Sequence, residues 1–243
     1  MLEDNKFKVV GTIQLYGDDI GKVSLYDASY ANESEEQRIW TVTTIASLAY
    51  GNESAKSPEA LYERMQSIKH DSLWEFIRDG TCGYTIEESM RVAKFKWYTL
   101  GLSHKENIAC FKIKVPIFVA RQFMRHRSFS YLEMSRRYTK DSKQPFEFWF
   151  PKEMEYELQT QFKHDWVSMY GALYVNGMHT QVASRFLPQT TYTEFYMMGE
   201  VEGLKNFFKL RIDKHAQEEI REVAEGMLKL LELHQPTLYT KMK

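Results

Sequence analysis

Hydrophobic and polar residues alternate through residues 7–16, a pattern typical of a β-strand. A turn rich in glycine and aspartate follows at residues 17–21, and Val23 and Leu25 mark a second strand-like stretch. Because two strands joined by a short turn usually pair with each other, the pattern predicts an N-terminal β-hairpin.

Helical spacing of apolar residues appears in five further segments. Ser34 with Gln37 forms a capping box before the first of them, and Ser57-Pro58 supplies an N-cap and a first-turn proline for the second. The third lies in a segment of about residues 77–106 that we interpret as a helical insertion. The predicted helices are residues 34–50, 57–68, 85–100, 154–176 and 220–231.

Three more strand-like runs follow, at residues 109–115, 146–151 and 191–198. The first carries Lys112 and Lys114 on one face, which we expect to contact water, and it leads directly into a helix opened by Pro116. Strands and helices do not alternate regularly, which favours an α+β fold with a mixed antiparallel sheet and several long helices. No linker divides the 243 residues, so we expect a single domain over residues 1–243.

Composition excludes several classes of protein. Hydrophobic residues make up 43% and charged residues 27% of the chain, and the net charge of -1 attracts neither nucleic acid nor a membrane. Cys82 and Cys110 are too few for a disulfide framework and are interpreted as small buried hydrophobes. The histidines lack metal-ligand spacing, so no metal is expected, and no glycine-rich phosphate loop follows a strand. Without a signal-like start or a long apolar run, the protein is expected to be cytoplasmic.

Positive charge is concentrated between Pro116 and Tyr138. This segment contains a single carboxylate, Glu133, beside five arginines and a histidine: Arg121, Arg125, His126, Arg127, Arg136 and Arg137. Each charge-assisted contact of a guanidinium with phosphate or carboxylate contributes about 1.5–3 kcal/mol, and the interspersed aromatic residues offer flat surfaces for a ring system. The segment predicts an anion site suited to a nucleotide, a flavin or single-stranded nucleic acid. The plainer alternative is a solvated or salt-bridged arginine cluster.

Arg125-His126-Arg127, followed after seven residues by Ser135, resembles the RHR-x7-S signature of the flavin-dependent thymidylate synthases. Ala120-Arg121-Gln122 before the motif and residues 204–217 after it are also similar to that family. The resemblance implies a homotetramer that converts dUMP to dTMP, with FAD and dUMP bound at subunit interfaces. It further implies NADPH as the reductant of the flavin and methylenetetrahydrofolate as the donor of the carbon that C5 of the uracil receives. Neither cysteine has the basic surroundings of a nucleophile, which favours this flavin chemistry over attack by a thiolate.

The same resemblance assigns roles to individual residues. Arg211 is the implied catalytic residue, which stabilises the ionised N3 form of the uracil. The implied dUMP contacts are Gln122, Arg125, Glu133, Met134, Ser135, Arg136, Arg137, Arg185 and Arg211. The implied flavin contacts are Ser72, Arg125, His126, Arg127, Glu133, Asn206 and His215. Because two arginines flank it, His126 is expected to titrate low and to remain neutral.

Among the departures from the family pattern, two concern phosphate-binding arginines. Ser184 stands where the family has a phosphate-binding arginine, and Arg185 follows one position later; Glu200 and Glu202 occupy a segment that holds a flavin-phosphate arginine in the family. These changes leave open a related flavin-dependent reaction on dUMP, such as hydroxymethylation at C5. A nucleic-acid-binding protein and a structural homo-oligomer that has lost its flavin are the remaining alternatives.

Overall fold

The computed structural model describes residues 9–27, 43–48, 57–68, 107–135 and 146–243, together with Ile39 and Leu73. This part of the chain contains one sheet whose strands pair in the order β1-β2-β3-β5-β4, each pair antiparallel. The strands are β1 Val9–Gln14, β2 Lys22–Tyr26, β3 Ile108–Pro116, β4 Ser130–Glu133 and β5 Tyr192–Glu200. Their order places β3, which precedes the Arg-His-Arg motif, and β4, which follows it, on either side of β5.

Seven α-helices lie wholly within the described part of the chain. They are α1 Pro58–Ser67, α2 Ile117–Phe123, α3 Tyr156–Val175, α4 Thr180–Ala183, α5 Val201–Arg211, α6 Glu218–His234 and α7 Pro236–Met242. A 3-10 turn at Ser184–Phe186 follows α4, and residues 43–48 are also helical. Helices and an antiparallel sheet together confirm the predicted α+β fold.

Helices cover one face of the sheet through a continuous core. Phe111, Ile113 and Val115 of β3 point into this core, and so do the side chains that α5 and α6 bury against it. The five apolar positions that predicted an amphipathic C-terminal helix are all buried in α6: Ile220, Val223, Met227, Leu230 and Leu231. The periodicity of that segment therefore identified its core face correctly.

The opposite face of the sheet packs a second buried cluster against α1 and residues 43–48. Cys110 is fully buried there beside Met65 of α1, as expected for a small hydrophobe. Lys112 and Lys114 lie further along the same face of β3, where they pair with Glu194 at 3.3 Å and with Glu147. The prediction of one wet face on this strand is therefore correct only for its second half.

Other predicted elements had mixed outcomes. The hairpin of β1 and β2 is confirmed, as is the Ser57 cap on α1, whose Oγ accepts from Ala60 N at 3.2 Å. The strand predicted at residues 146–151 is wrong, because this segment makes only an isolated bridge between Phe148 and Thr191. The predicted helix at residues 85–100, the capping box at Ser34 and Cys82 lie outside the described residues.

Within the described ranges, no helix is both long and apolar enough to cross a membrane. The same ranges contain no group of three or more His, Cys, Asp or Glu residues arranged to hold a metal ion.

Candidate functional site

The arginine segment begins in a short helix held by the neighbouring loop. Pro116 is the last residue of β3 and the N-cap of α2. The first two helical N–H groups, those of Ile117 and Phe118, donate to the carbonyls of Thr191 at 3.0 Å and Gln189 at 3.2 Å. These bonds satisfy N–H groups that have no partner within the helix.

Helix α2 ends at Phe123, so Arg125 lies in the turn beyond the helix that carries Arg121. The Phe123 carbonyl accepts from His126 N at 2.9 Å and from the Tyr131 hydroxyl at 2.6 Å. Helix ends leave carbonyls without partners, and here a side chain from β4 and the following turn supply them. The turn that carries the Arg-His-Arg motif is thereby fixed to the end of α2.

Two glycines allow this turn to pack against the sheet and α5. The Phe129 ring is 1% exposed and lies against Gly199 of β5, where an added Cβ would come within 2.0 Å of the ring. An added Cβ at Gly203 of α5 would lie 2.8 Å from Ser128 Oγ. Only glycine, which has no Cβ, permits so close an approach. The contact brings the motif against the N-terminal part of α5.

A cleft of about 560 Å³ lies where the motif meets α5. It is lined by Arg125, His126, Arg127, Ser128, Asn206, Leu210 and Arg211. Five of these residues were predicted from the sequence to bind flavin or dUMP, and they come from two segments more than seventy positions apart in the chain. The cleft is the candidate functional site.

Arg211, the last residue of α5, is held by three hydrogen bonds to the arginine segment. Its Nε donates to His126 Nε2 at 2.9 Å, its Nη1 to Gln122 Oε1 at 3.3 Å, and its Nη2 to the Gln122 carbonyl at 3.2 Å. All three nitrogens of one guanidinium are engaged, so its plane is fixed relative to α2. A planar group oriented in this way is suited to recognising the edge of a flat ring.

His126 is neutral in this arrangement. The residue is 7% exposed, and its ring packs edge-on against Phe207 at a centroid distance of 5.0 Å. Burial, and secondarily the nearby charge of Arg211, lower the pKa of His126 to about 4. Because Nε2 accepts from Arg211, the single ring proton resides on Nδ1. The predicted neutrality agrees with this pKa, but its cause is burial and Arg211 and not the flanking Arg125 and Arg127.

Among the described residues that line it, the cleft has positive charge without a neutralising carboxylate. Burial lowers the pKa of Arg211, and repulsion from Arg125 lowers it further. In the described ranges, the lysine–carboxylate salt bridges are those of Lys112, Lys114 and Lys205, and no salt bridge involves an arginine. An anion bound between Arg125 and Arg211 would relieve their repulsion. The salt-bridged alternative for these arginines therefore has no support in the described residues.

Glu133 lies at the end of β4, outside the residues that line the cleft. Its Oε1 accepts a 2.7 Å hydrogen bond from the buried Thr193 hydroxyl. Removal of the carboxylate from solvent raises the pKa of Glu133, and the Thr193 hydrogen bond and the charge of Arg121 oppose this shift.

The other predicted site residues are dispersed. His215 is exposed, with its Nδ1 2.8 Å from Asp213 Oδ1, and Arg185 is exposed on the 3-10 turn before β5. Met134 packs against the core on the second face of the sheet, and Ser135 follows it, half-buried. None of these four lines the cleft. Ser72, Arg136 and Arg137 lie outside the described residues.

The two glutamates that depart from the family pattern flank the start of α5. Glu200 is the N-cap residue and Glu202 lies in the first turn of α5. Negative charge at this end of a helix interacts favourably with the helix dipole. Glu202 pairs with Lys205 at 3.3 Å. Neither glutamate lines the cleft, although Asn206 one turn later does.

Sequence reasoning missed three residues that contact the site. Ser128 and Leu210 line the cleft, and Gln217 Oε1 accepts a hydrogen bond from Gln122 Nε2. Ser128 and Leu210 are next to predicted residues, which was the available signal. Gln217 lies at the end of the segment 204–217 that resembles the family, but its contact with Gln122, 95 positions away in the chain, had no signal in the sequence.

Comparison with known proteins places the chain in a family. Residues 105–237, more than half of the chain, match the family model described as Thymidylate synthase complementing protein. The chain is similar to proteins named flavin-dependent thymidylate synthase from Thermotoga neapolitana, with 36% identity over 140 residues, and Thermosipho melanesiensis, with 35% over 144 residues. A protein of the same name from Thermus thermophilus is 33% identical over 142 residues.

These alignments cover 53%, 49% and 52% of this chain, and it spans 63%, 61% and 53% of the relatives' own length. The matched region contains β3, the arginine motif, β5 and α5, and so every residue that lines the cleft. The resemblance indicated by the motif is thus confirmed at the level of the family, and the chain belongs to the thymidylate synthase complementing protein family.

Proposed function

We propose that this protein is a cytoplasmic flavin-dependent thymidylate synthase, which methylates C5 of dUMP to give dTMP. The observation that carries the proposal is the cleft in which Arg125, His126 and Arg127 meet Asn206 and Arg211. The name shared by the relatives supports the reaction, and the match to the family model includes the segments that carry these residues. NADPH and methylenetetrahydrofolate are the proposed reductant and carbon donor.

The chemistry of the cleft fits FAD. Arg125 and Arg127 are exposed cations without a carboxylate partner in the described ranges, which suits the phosphates of a dinucleotide. Asn206 offers an amide beside them, and His126 remains neutral, so it adds no further positive charge. FAD, when bound and reduced, would supply the hydride of the reaction.

Arg211 is the proposed catalytic residue. Negative charge develops on the uracil when N3 ionises, and a fixed guanidinium stabilises such charge without reorganising. His126 and Gln122 hold the guanidinium in place before the substrate arrives. Arg125 is the proposed phosphate contact, since an anion beside it would relieve its repulsion of Arg211. Gln122, Glu133, Met134, Ser135, Arg136 and Arg137 complete the proposed dUMP contacts, and Ser72, Glu133 and His215 the proposed flavin contacts.

A homotetramer with sites at subunit interfaces is part of the proposal. Arg185, the substitute for the usual phosphate-binding arginine, is exposed and does not line the cleft of its own subunit. It is available to a neighbouring subunit's cleft. Helix α3 exposes Leu158, Phe162 and Met169, which supports burial of this surface in an assembly.

The proposal is tested by the visible absorption spectrum of the purified protein with FAD, recorded again after dUMP and after NADPH. We expect flavin bands that shift with dUMP and bleach with NADPH. Mass spectrometry of the nucleotide after adding methylenetetrahydrofolate then identifies the product, with dTMP expected. A hydroxymethylated nucleotide would show that the protein catalyses the related hydroxymethylation of dUMP and not its methylation.

Failure to bind FAD or dUMP at micromolar concentration would overturn the flavoenzyme. Binding of oligonucleotides that weakens steeply with salt, by a protein without bound flavin, would support the nucleic-acid alternative instead.

A further inference from the structure

A chain of side-chain hydrogen bonds joins α2, α5 and the start of α6, and it ends at His126 in the cleft. Gln217 accepts from Gln122, Gln122 accepts from Arg211, and Arg211 donates to His126. Gln217 is the N-cap residue of α6, and its carbonyl accepts from Arg221 N at 3.1 Å, so its backbone is fixed by that helix. Its side chain makes no capping bond and is directed to Gln122 instead.

The donors and acceptors in this chain fix the orientation of the Gln122 amide. A guanidinium only donates, so Gln122 must present its oxygen to Arg211. The amide nitrogen then points away from Arg211, and the group that meets it must be an acceptor. Gln217 Oε1 is that acceptor.

Without an acceptor at position 217, the Gln122 amide gains a second orientation. A half-turn of the amide would direct its N–H groups at the Arg211 guanidinium, where two donors face each other. Arg211 would keep its bonds to His126 Nε2 and to the Gln122 carbonyl but lose the one from Nη1. Its plane would then be less well fixed.

We infer that Gln217 is a positioning residue: it orients the Gln122 amide and thereby the guanidinium that faces the substrate. The inference rests on the proposed function for its kinetic consequence, but the hydrogen-bond chain itself can be measured without turnover. Loss of one neutral hydrogen bond corresponds to about a three- to tenfold effect.

The kinetic experiment compares Gln217→Leu with Gln217→Glu. Leucine has no acceptor, whereas glutamate keeps one of the same length. We expect Gln217→Leu to reduce kcat about three- to tenfold with a smaller change in the KM for dUMP, and Gln217→Glu to restore most of the loss. In a Gln122→Leu background, Gln217→Leu should have no further effect, because the amide that it orients is gone. Gln189→Leu, an exposed glutamine outside the cleft, is the matched control and should retain full activity.

The second measurement is the exchange rate of the Arg211 Nε proton with solvent, followed by nitrogen-15 NMR of the unliganded protein. Slow exchange is expected in the natural protein and in Gln217→Glu, and faster exchange in Gln217→Leu. If the natural protein produces no dTMP but Gln217→Leu still accelerates this exchange, the proposed function is wrong and the positioning role of Gln217 is supported. Unchanged exchange and unchanged kinetics in Gln217→Leu would overturn the positioning role.

Discussion

At the scale of the residue, the site depends on a histidine that accepts a hydrogen bond. His126 can receive the Nε proton of Arg211 only while its own Nε2 is unprotonated. Burial against Phe207 favours this neutral form, so a packing contact sets the protonation state of a polar residue. The same histidine on an exposed turn would become charged near neutral pH and would repel the arginine.

The lowered pKa of His126 predicts how stability depends on pH. Between about pH 4 and 6.5 the unfolded chain protonates this histidine and the folded chain does not, so the unfolded state binds more protons. The free energy of unfolding should therefore rise with pH across this window, and the contribution of His126 should be lost as the pH falls through it. Urea unfolding of the unliganded protein at a series of pH values, compared with His126→Gln, measures the effect.

His126→Gln retains a neutral polar side chain but cannot titrate, so its stability curve should be flatter over the same range. Other groups that titrate in this window affect both proteins equally and cancel in the difference. Parallel curves for the two proteins would show that His126 does not carry this dependence.

Arg211 should be the most sensitive residue of the cleft. We expect Arg211→Ala to lower kcat by about two to three orders of magnitude, the usual cost of removing one oriented electrostatic donor. Arg211→Lys keeps the charge but cannot bond to His126 and Gln122 together, so it should recover only part of the rate. Steady-state kinetics with dUMP measure both variants.

The control for these variants is Arg64→Ala, which removes an exposed arginine of α1 and should leave kcat unchanged. A near-normal rate for Arg211→Ala would show that Arg211 is not the catalytic residue.

At the scale of the element, the close contact of a turn with a strand builds the cleft. Phe129 anchors the motif turn against Gly199, and α5 begins two residues after that glycine. Strand, turn and helix are therefore packed through one aromatic ring. Any side chain at position 199 must displace this ring or the strand.

We expect Gly199→Ala to lower the free energy of unfolding by about 1–3 kcal/mol, the usual cost of overpacking. Gly171→Ala is the matched control, because a Cβ at this position of α3 meets no atom within 4 Å and should stabilise the helix. Denaturant titration measures each variant.

Removing the Phe129 ring provides the second test of this contact. Phe129→Ala is destabilising by itself, but Gly199→Ala added to it should cost much less than it does alone, since the two sites are coupled. Equal costs in both backgrounds would show that the ring is not what the added methyl group meets.

Predictions of elements from the sequence succeeded where burial follows the period of the backbone. The buried stripe of α6 and the alternation of β3 are of this kind, and both were placed within a few residues. Residues 146–151 failed because their aromatic side chains pack against α3, with Phe150 stacked on Trp166 at 5.7 Å, and not in a strand ladder. Strand β4 was missed because only four residues form it, inside a segment dominated by charge.

The residues of the cleft were predicted from local sequence matches, but their contacts with one another are long-range and were not. The local motif identified Arg125, His126 and Arg127, and a second local match identified Asn206 and Arg211. These residues lie together in one cleft because β3 pairs with β5 and Phe129 contacts Gly199. No spacing along the chain encodes those contacts.

At the scale of the whole molecule, α3 is the least buried long element in the described part of the chain. Only Tyr170 of its twenty residues is buried. Leu158, Phe162 and Met169 are 45%, 37% and 38% exposed, and their spacing places them on one side of the helix. An apolar stripe of this kind is typical of a surface covered by another subunit.

We expect the double variant Leu158→Asp/Met169→Asp to shift the protein to a smaller assembly, because the two charges would have to be buried without partners. Sedimentation velocity measures the change in mass. Ser168→Asp, on the polar side of the same helix, is the control and should leave the assembly intact. An assembly of unchanged mass in the double variant would place the interface elsewhere.

The pairing of β3 with β5 has a consequence for how the protein folds. Ile108 pairs with Glu200 and Pro116 with Tyr192, so the loop that must close between these strands is long. Closing it costs chain entropy before any contact repays that cost, which slows folding. During synthesis, the arginine motif leaves the ribosome well before Gly199 and Arg211, which complete its surroundings. The cleft therefore forms late, and a nascent chain that ends before β5 carries the motif without it.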